Sequence, residues 1–191
     1  MDKHLFLGAN TPDGFIHHFD KIIEMFNLKK LFILKGGNGV GKSTFIKNFA
    51  TAFEDYSVTY IYCPADPTSL DGIIIESLGI DVIDGTAPHI VDPRYPGVID
   101  EIVNLGEFII PSRLEIKREQ LEIINKKKRD LYKRAFDSLD RARAHHKRIE
   151  QFYKDAVDFS SASALCNKLI ASSKIDAGII NRNPPFENSI K

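Results

Sequence analysis

Residues 36 to 44 read Gly-Gly-Asn-Gly-Val-Gly-Lys-Ser-Thr, the spacing G-x-x-x-x-G-K-[ST], and these residue types suit the holding of phosphate. Phosphate oxygens need closely spaced donors, and glycines let successive N–H groups curl inward because no Cβ blocks positive φ or the ligand's approach. A helix that starts directly after such a loop adds its free N–H groups and the positive end of its dipole. In this scheme Gly36, Gly37, Asn38, Gly39, Val40 and Gly41 form the cradle. Lys42 reaches the β- and γ-phosphates, Ser43 sets its hydroxyl on Mg²⁺, and Thr44 assists. The chain has neither the Asn-Lys-x-Asp signature of guanine recognition nor the Leu-Ser-Gly-Gly-Gln signature of transporter ATPases, so the expected ligand is Mg-ATP.

Such loops work with a second carboxylate at the end of a neighbouring strand, next to the metal. Asp84, which closes the run Ile80-Asp81-Val82-Ile83-Asp84, is the leading candidate. Asp81 lies three residues away, hence on the opposite face of that strand, and Asp66 and Asp71 are alternatives after the preceding strand. The loop 86–97 then concentrates prolines with His89 and Arg94. His89 is placed to orient water or contact phosphate and Arg94 to neutralise charge; a loop tied down by hydrogen bonds is the competing reading.

The elements that must position these groups follow from pattern. Residues 4–9 read as a short strand, broken at Asn10-Thr11-Pro12-Asp13-Gly14. Phe15, Phe19, Ile22, Ile23 and Phe26 have helical spacing, with Asn27 closing the helix. Leu31-Phe32-Ile33-Leu34 is continuous enough for a strand buried on both faces, as in a parallel sheet. The glycine-rich loop leads into a helix carrying Phe45, Ile46, Phe49 and Phe53. Val58 to Tyr62 is the next strand, so a βαβ unit is predicted. Ile73-Ile74-Ile75 fits a strand better than a helix, and residues 80–84 form another strand.

After Pro111 the character changes. Ser112 and Glu115 have the spacing of a capping box, and no Pro or Gly occurs from Ser112 to Ala177. A helical arm is predicted, with a narrow apolar stripe through Leu114, Leu121, Ile124, Leu131, Ala135, Leu139, Ala142, Ile149 and Tyr153. Asp158 or Ser160 is placed to cap a second helix and so to make a hairpin. Residues 1–111 carry 8 basic and 15 acidic side chains, whereas 112–154 carry 14 and 7. An acidic body thus bears a basic arm. The arm reads as a lid bringing Arg113 or Arg118 over phosphates, as a nucleic-acid surface using Lys126 to Arg129, or as a solvated face docked on the acidic body. Its aromatic residues are sparse for base stacking, so nucleic acid is the disfavoured partner.

Lys+Arg and Asp+Glu each total 26, so overall charge does not call for a polyanionic partner. Two cysteines, Cys63 and Cys166, without C-x-x-C spacing argue against a disulfide framework or a zinc site. The start Met1-Asp2-Lys3-His4 lacks a signal-peptide pattern and no apolar run reaches membrane-spanning length, so a cytoplasmic location with no membrane partner is expected.

His4-Leu5-Phe6 with Asn10-Thr11, the loop Lys35 to Ser43, Ser69-Leu70-Asp71-Gly72, and Asp84-Gly85-Thr86-Ala87-Pro88-His89 with Asp92-Pro93 and Pro96-Gly97 together carry a resemblance. Over about residues 4 to 170 the chain resembles an uncharacterised family of bacterial ATPase-like or nucleotide-kinase-like P-loop proteins. Its members usually have two P-loop halves in tandem, and this chain resembles the first half, with Asn38 where the family often has Pro. The resemblance implies a nucleoside triphosphate as ligand, and a homodimer or a second P-loop domain as the partner that completes a site.

The resulting expectation is an α/β, three-layer P-loop NTPase fold with a mostly parallel sheet and a C-terminal helical hairpin arm. It divides into a nucleotide-binding core (1–111), a basic arm (112–175) and a polar tail (176–191). The expected function is an ATPase or small-molecule phosphotransferase, with Lys42, Asp84 and His89 as catalytic residues and Ser43 and Asp84 at Mg²⁺. The alternative is a nucleotide-controlled protein-binding switch with little turnover.

Overall fold

A computed structural model describes residues 1–172; the expected polar tail and the last three residues of the expected arm, 173–175, lie outside them. The described chain is α/β. Six strands form one sheet, ordered β1 (Lys3–Leu5), β5 (Thr59–Cys63), β6 (Asp66–Ile75), β7 (Ile80–Asp84), β4 (Lys30–Lys35) and β8 (Asp100–Asn104). Only β6 runs against the others: it is antiparallel to β5 and β7, while β1 with β5, β7 with β4 and β4 with β8 are parallel. A separate antiparallel hairpin joins β2 (Gly8–Thr11) and β3 (Gly14–His17).

Both faces of this sheet are covered, which is why its central strands are apolar throughout. On one face, helix α2 (Lys42–Thr51) sets Ile46 and Ala50 against Leu34, Ile73, Ile75 and Val82, with Phe45, Phe49 and Phe53 at the margin. On the other, Phe19 and Ile22, at a 3₁₀ turn and the start of the short helix α1 (Ile22–Phe26), pack on Leu31, Ile33, Ile61, Ile74 and Ile83. Each isoleucine side chain taken fully out of water contributes roughly 1.5–3 kcal/mol. The arrangement is compatible with three layers.

The predicted β4–α2–β5 crossover forms, but β7 and β6 lie between its two strands. Ile73 to Ile75 are strand residues, as expected. Three expectations need correction. First, Phe15–Phe26 is not one helix. Thr11 Oγ1 donates to Gly14 O at 2.7 Å and accepts from Asp13 N at 3.2 Å, and Gly14 has φ 102°, so the chain turns back and residues 14–17 pair with 8–11. The Phe15 ring lies over Gly8, where a Cβ would come within 2.5 Å of it. Second, residues 4–9 are two strands in different sheets rather than one. Third, Ser112 does not cap the arm: Pro111 occupies the first turn of helix α3 (Pro111–Glu115), which suits its fixed φ, and Ile110 at the cap position makes no side-chain bond.

Helix α4 (Arg118–Lys154) is a separate helix with no buried residue, and α5 (Phe159–Ser172) follows it. Asp158 caps α5, accepting from the backbone N–H groups of Ser160 and Ser161 and from both hydroxyls. The chain groups into two compact units, Met1–Arg141 and Ala142–Lys191, so the boundary falls within α4. No helix is long and apolar enough to cross a membrane among the described residues.

Candidate functional site

The glycine-rich loop sits where β4 ends and α2 begins, because its glycines adopt backbone that other residues avoid. Gly39 and Gly41 have φ of 81° and 97°, and a Cβ on either would meet open space rather than protein. Gly36, with φ 149°, is hemmed in: a Cβ there would lie 2.8 Å from Val40 Cγ2 and 3.3 Å from Gly106 N. The loop is therefore closed beneath Gly36 and open above Gly39 and Gly41, with Gly37, Asn38 and Gly39 exposed.

Lys42 is the first residue of α2 and only 8% exposed. Its ammonium folds over the loop, donating to Gly36 O at 2.9 Å and Gly37 O at 3.0 Å, and it lies 3.6 Å from Asp84 Oδ2. Asp84 comes from the C-terminal end of β7, in register with Leu34 of β4. Its Oδ1 accepts from Thr86 N at 2.9 Å and Thr86 Oγ1 at 2.5 Å, which fixes the carboxylate and turns Oδ2 to Lys42. Ser43 Oγ accepts from Leu70 N at 3.0 Å and keeps its own hydroxyl proton to direct. Thr44 is exposed on the first turn of α2.

Of the four carboxylates weighed, Asp84 alone meets the lysine. Asp66 closes a local turn by accepting from Thr68 and Ser69. Asp81 is fully buried on the opposite face of β7, with neither carboxyl oxygen hydrogen-bonded, and burial drives its pKa well above the ordinary carboxylate range. Asp71 pairs with His89: Nε2 lies 3.2 Å from Asp71 Oδ2, and both side chains are almost wholly buried. Burial pulls the His89 imidazole down, but Asp71, aided by the charge of Asp84, outweighs it and the net shift is upward. His89 also packs on Phe19 at 4.7 Å between ring centroids. Its side chain is thus buried and held on two sides, by Asp71 and by the Phe19 ring. Burial, with Asp71 beside it, raises the Cys63 thiol, so Cys63 stays protonated.

The loop after β7 is tied down. Lys35 Nζ donates to Gly85 O at 2.8 Å, Val91 O at 2.7 Å and Asp92 Oδ1 at 3.2 Å. Arg94 turns away from the glycine-rich loop, meeting Glu24 at 3.1 Å and Asp20 at 3.9 Å, while its N–H and that of Tyr95 bind Asp100 Oδ2.

Within the unit Met1–Arg141, a cleft of about 690 Å³ runs from Asn38 and Asp84 past Asp71 and His89 to α4. That is the size range of small-molecule sites. The arm presents Lys128, Arg129 and Lys133 there, with Tyr132 and Phe136; Arg113 and Arg118 do not line it. Pairing of Asp71 with His89 and the pinning role of Lys35 escaped the sequence reading. The arm's contribution had a readable signal, since 125, 128, 129, 132, 133 and 136 share one helical face. No cluster of three or more His, Cys, Asp or Glu that would hold a metal occurs among the described residues. Comparison of the chain with family models, with curated proteins and with solved structures gives no match.

Proposed function

We propose that this chain is a P-loop protein that binds Mg-ATP on Gly36–Thr44 and acts as an ATPase or a small-molecule phosphotransferase. The observation that carries the reading is the position of Lys42: a nearly buried ammonium, held across the loop by two loop carbonyls and facing the free oxygen of a strand-end carboxylate. An ammonium so placed exchanges carbonyl oxygens for phosphate oxygens without leaving the loop. The open space above Gly39 and Gly41 suits phosphate, and the N-terminus of α2 lies beneath it.

Mg²⁺ is a hard cation that takes few protein ligands and keeps its waters, which fits the donor set present, one hydroxyl and one carboxylate. Ser43 and Asp84 would hold it, and it would neutralise charge on the β- and γ-phosphates. Asp84 then has two duties, towards Mg²⁺ and, through Oδ2, towards Lys42, and it takes its own orientation from Thr86. His89 acts behind this front, holding Asp71 in place. The finer fold reading, a three-layer P-loop NTPase, rests on the same strand, loop and helix. A cytoplasmic location agrees with two free cysteines.

A switch with little turnover is the second reading. It is favoured by α4, whose Leu121, Ile124, Leu131 and Leu139 remain exposed, a face suited to a protein partner or second copy.

The test is calorimetric titration of Mg-ATP and Mg-GTP into the wild type and Lys42→Ala, with phosphate release followed in the same samples. Binding of Mg-ATP that Lys42→Ala abolishes supports the reading, and release of phosphate separates enzyme from switch. Unchanged affinity in a folded Lys42→Ala would sink it.

A further inference from the structure

We propose that the cleft between the sheet edge and α4 is a second ligand site, for a phosphomonoester with an aromatic ring, and that this ligand is the phosphoryl acceptor. The acceptor role rests on the proposed binding of Mg-ATP at Gly36–Thr44; the binding site itself does not.

The first argument is charge. On the sheet side both carboxylates that line the cleft are matched, Asp84 by Lys42 and Asp71 by His89. On the α4 side, Lys128, Arg129 and Lys133 line the same cleft and have no carboxylate partner among the described residues. The cleft therefore carries a cationic surplus. Three cations on one helical face suit a dianion better than a single carboxylate, and an arginine among them offers the planar fork that phosphate takes in two bonds.

The second argument is shape. Phe15 on β3, with Tyr132 and Phe136 on α4, supplies aromatic surface to the same cleft. Phe15 is fixed by the hairpin, where its ring covers Gly8, and Tyr132 and Phe136 lie one helical turn apart with centroids 6.1 Å apart. An anion site beside three aromatic rings selects a ligand with a flat apolar body, because a bare phosphate leaves that surface wet. Nucleoside monophosphates have this composition.

The third argument is placement. Asn38 of the loop and Asp84 line the same cleft, so the space that the α4 cations face also reaches the glycine-rich loop and the carboxylate proposed for Mg²⁺. In the transfer, an acceptor phosphate oxygen attacks the γ-phosphorus, and the bond from that phosphorus to the β–γ bridging oxygen breaks. The electron pair leaves on ADP. A dianionic acceptor brings no proton, so no general base is required, in keeping with the burial of His89.

The test uses the full chain and isothermal calorimetry with AMP, GMP, CMP and UMP, each titrated with and without saturating Mg-AMPPNP, and with ribose 5-phosphate as the ringless probe. At least one nucleoside monophosphate should bind at least about tenfold more tightly than ribose 5-phosphate, since stacking on aromatic side chains is worth about 1–3 kcal/mol per base. Arg129→Gln with Lys133→Gln should weaken that binding by about tenfold or more, and by more than it weakens Mg-AMPPNP; both positions are exposed, so the fold is retained. Lys42→Ala should lose Mg-AMPPNP and keep the monophosphate. Failure of every monophosphate to bind a chain that does bind Mg-AMPPNP overturns the second site and leaves the loop reading intact. Failure of Mg-AMPPNP with retained monophosphate binding overturns the acceptor role and the loop reading and leaves the site. Equal affinity for ribose 5-phosphate overturns the aromatic part of the proposal.

Discussion

His89 Nε2 lies 3.2 Å from Asp71 Oδ2 in a setting where neither side chain reaches solvent to any extent. The imidazole pKa is raised above its ordinary 6.5, so the folded chain holds this proton to higher pH than the unfolded chain. Stability from the pair is therefore fully present below pH 6.5, as long as Asp71 is ionised, and is lost as pH rises through the raised folded value. His89→Gln should destabilise by roughly 3 kcal/mol at a pH of about 6, the scale for breaking a buried pair. The gap to wild type should narrow at a pH of about 9, and urea melts at the two pH values measure it. An equal gap at both would show that folding leaves the affinity of His89 for its proton unchanged, and a gap that widens at the higher pH would show that it is buried neutral.

Asp81 gives the opposite lesson about burial. Its carboxyl group is fully buried without a hydrogen bond, and its raised pKa means that folding draws in a proton over the pH range between its ordinary and its raised value. Between the unfolded pKa and the folded one, that uptake erodes stability as pH rises. Asp81→Asn removes the proton and keeps the shape. It should stabilise the chain by about 1–3 kcal/mol at neutral pH, and the gain should disappear at a pH of about 3, where aspartate is largely protonated in both states. Guanidinium midpoints at the two pH values decide it.

Asp84→Asn preserves an acceptor for Thr86 while removing the charge that faces Lys42. On the proposed role of Asp84 at Mg²⁺, ATP affinity in the presence of magnesium should fall by about tenfold or more. Affinity for ATP in EDTA should stay level or improve, since one negative charge near the phosphates is gone. Equal loss with and without magnesium would assign Asp84 to positioning Lys42 alone.

The parts of this site that were legible in the sequence are those fixed by local chemistry. The loop spacing, the apolar run of β4 before it and Asp84 at the end of β7 each follow from neighbours within a few residues. Asp71 and His89 are separated by the whole of β7, and only the reversal of β6 against β7 brings them together, a pairing that no local pattern encodes. The β2–β3 hairpin is hidden for a related reason: Phe15, Phe19, Ile22, Ile23 and Phe26 satisfy helical spacing, yet the turn at Thr11–Gly14 lets residues 14–17 pair with 8–11, so strand pairing takes Phe15 out of that periodicity and only its later part, closed by Asn27 as expected, is helical. Strand β8 escaped because it is an edge strand opening on Asp100-Glu101, and the buried Asp100 carboxylate is spent on the Arg94 and Tyr95 N–H groups rather than on solvent.

Lys35 reaches across from β4 to hold the loop after β7 by two carbonyls and Asp92. Lys35→Met keeps the aliphatic stem and leaves Gly85 O and Val91 O without this donor. A loss of about 1–3 kcal/mol in urea stability is expected, together with faster proteolytic cleavage between residues 85 and 97. Loss of stability with unchanged cleavage would mean that the other contacts of this loop hold it without the lysine.

The apolar stripe on α4 separates two states of the chain. Ile124 and Leu131 are 61% and 59% exposed, so in an isolated chain they contribute little to the core. Ile124→Gln with Leu131→Gln, both changes to a good helix former, should alter stability by no more than about 1 kcal/mol in total, the range for surface substitutions. The melting temperature should not depend on protein concentration. A larger loss coupled to a concentration-dependent melting temperature would instead show that this face is covered by a second copy of the chain, because association stabilises the folded state by mass action. That outcome would move the arm from a wall of the cleft to an interface, and would make the dimer the unit in which nucleotide binding must be measured.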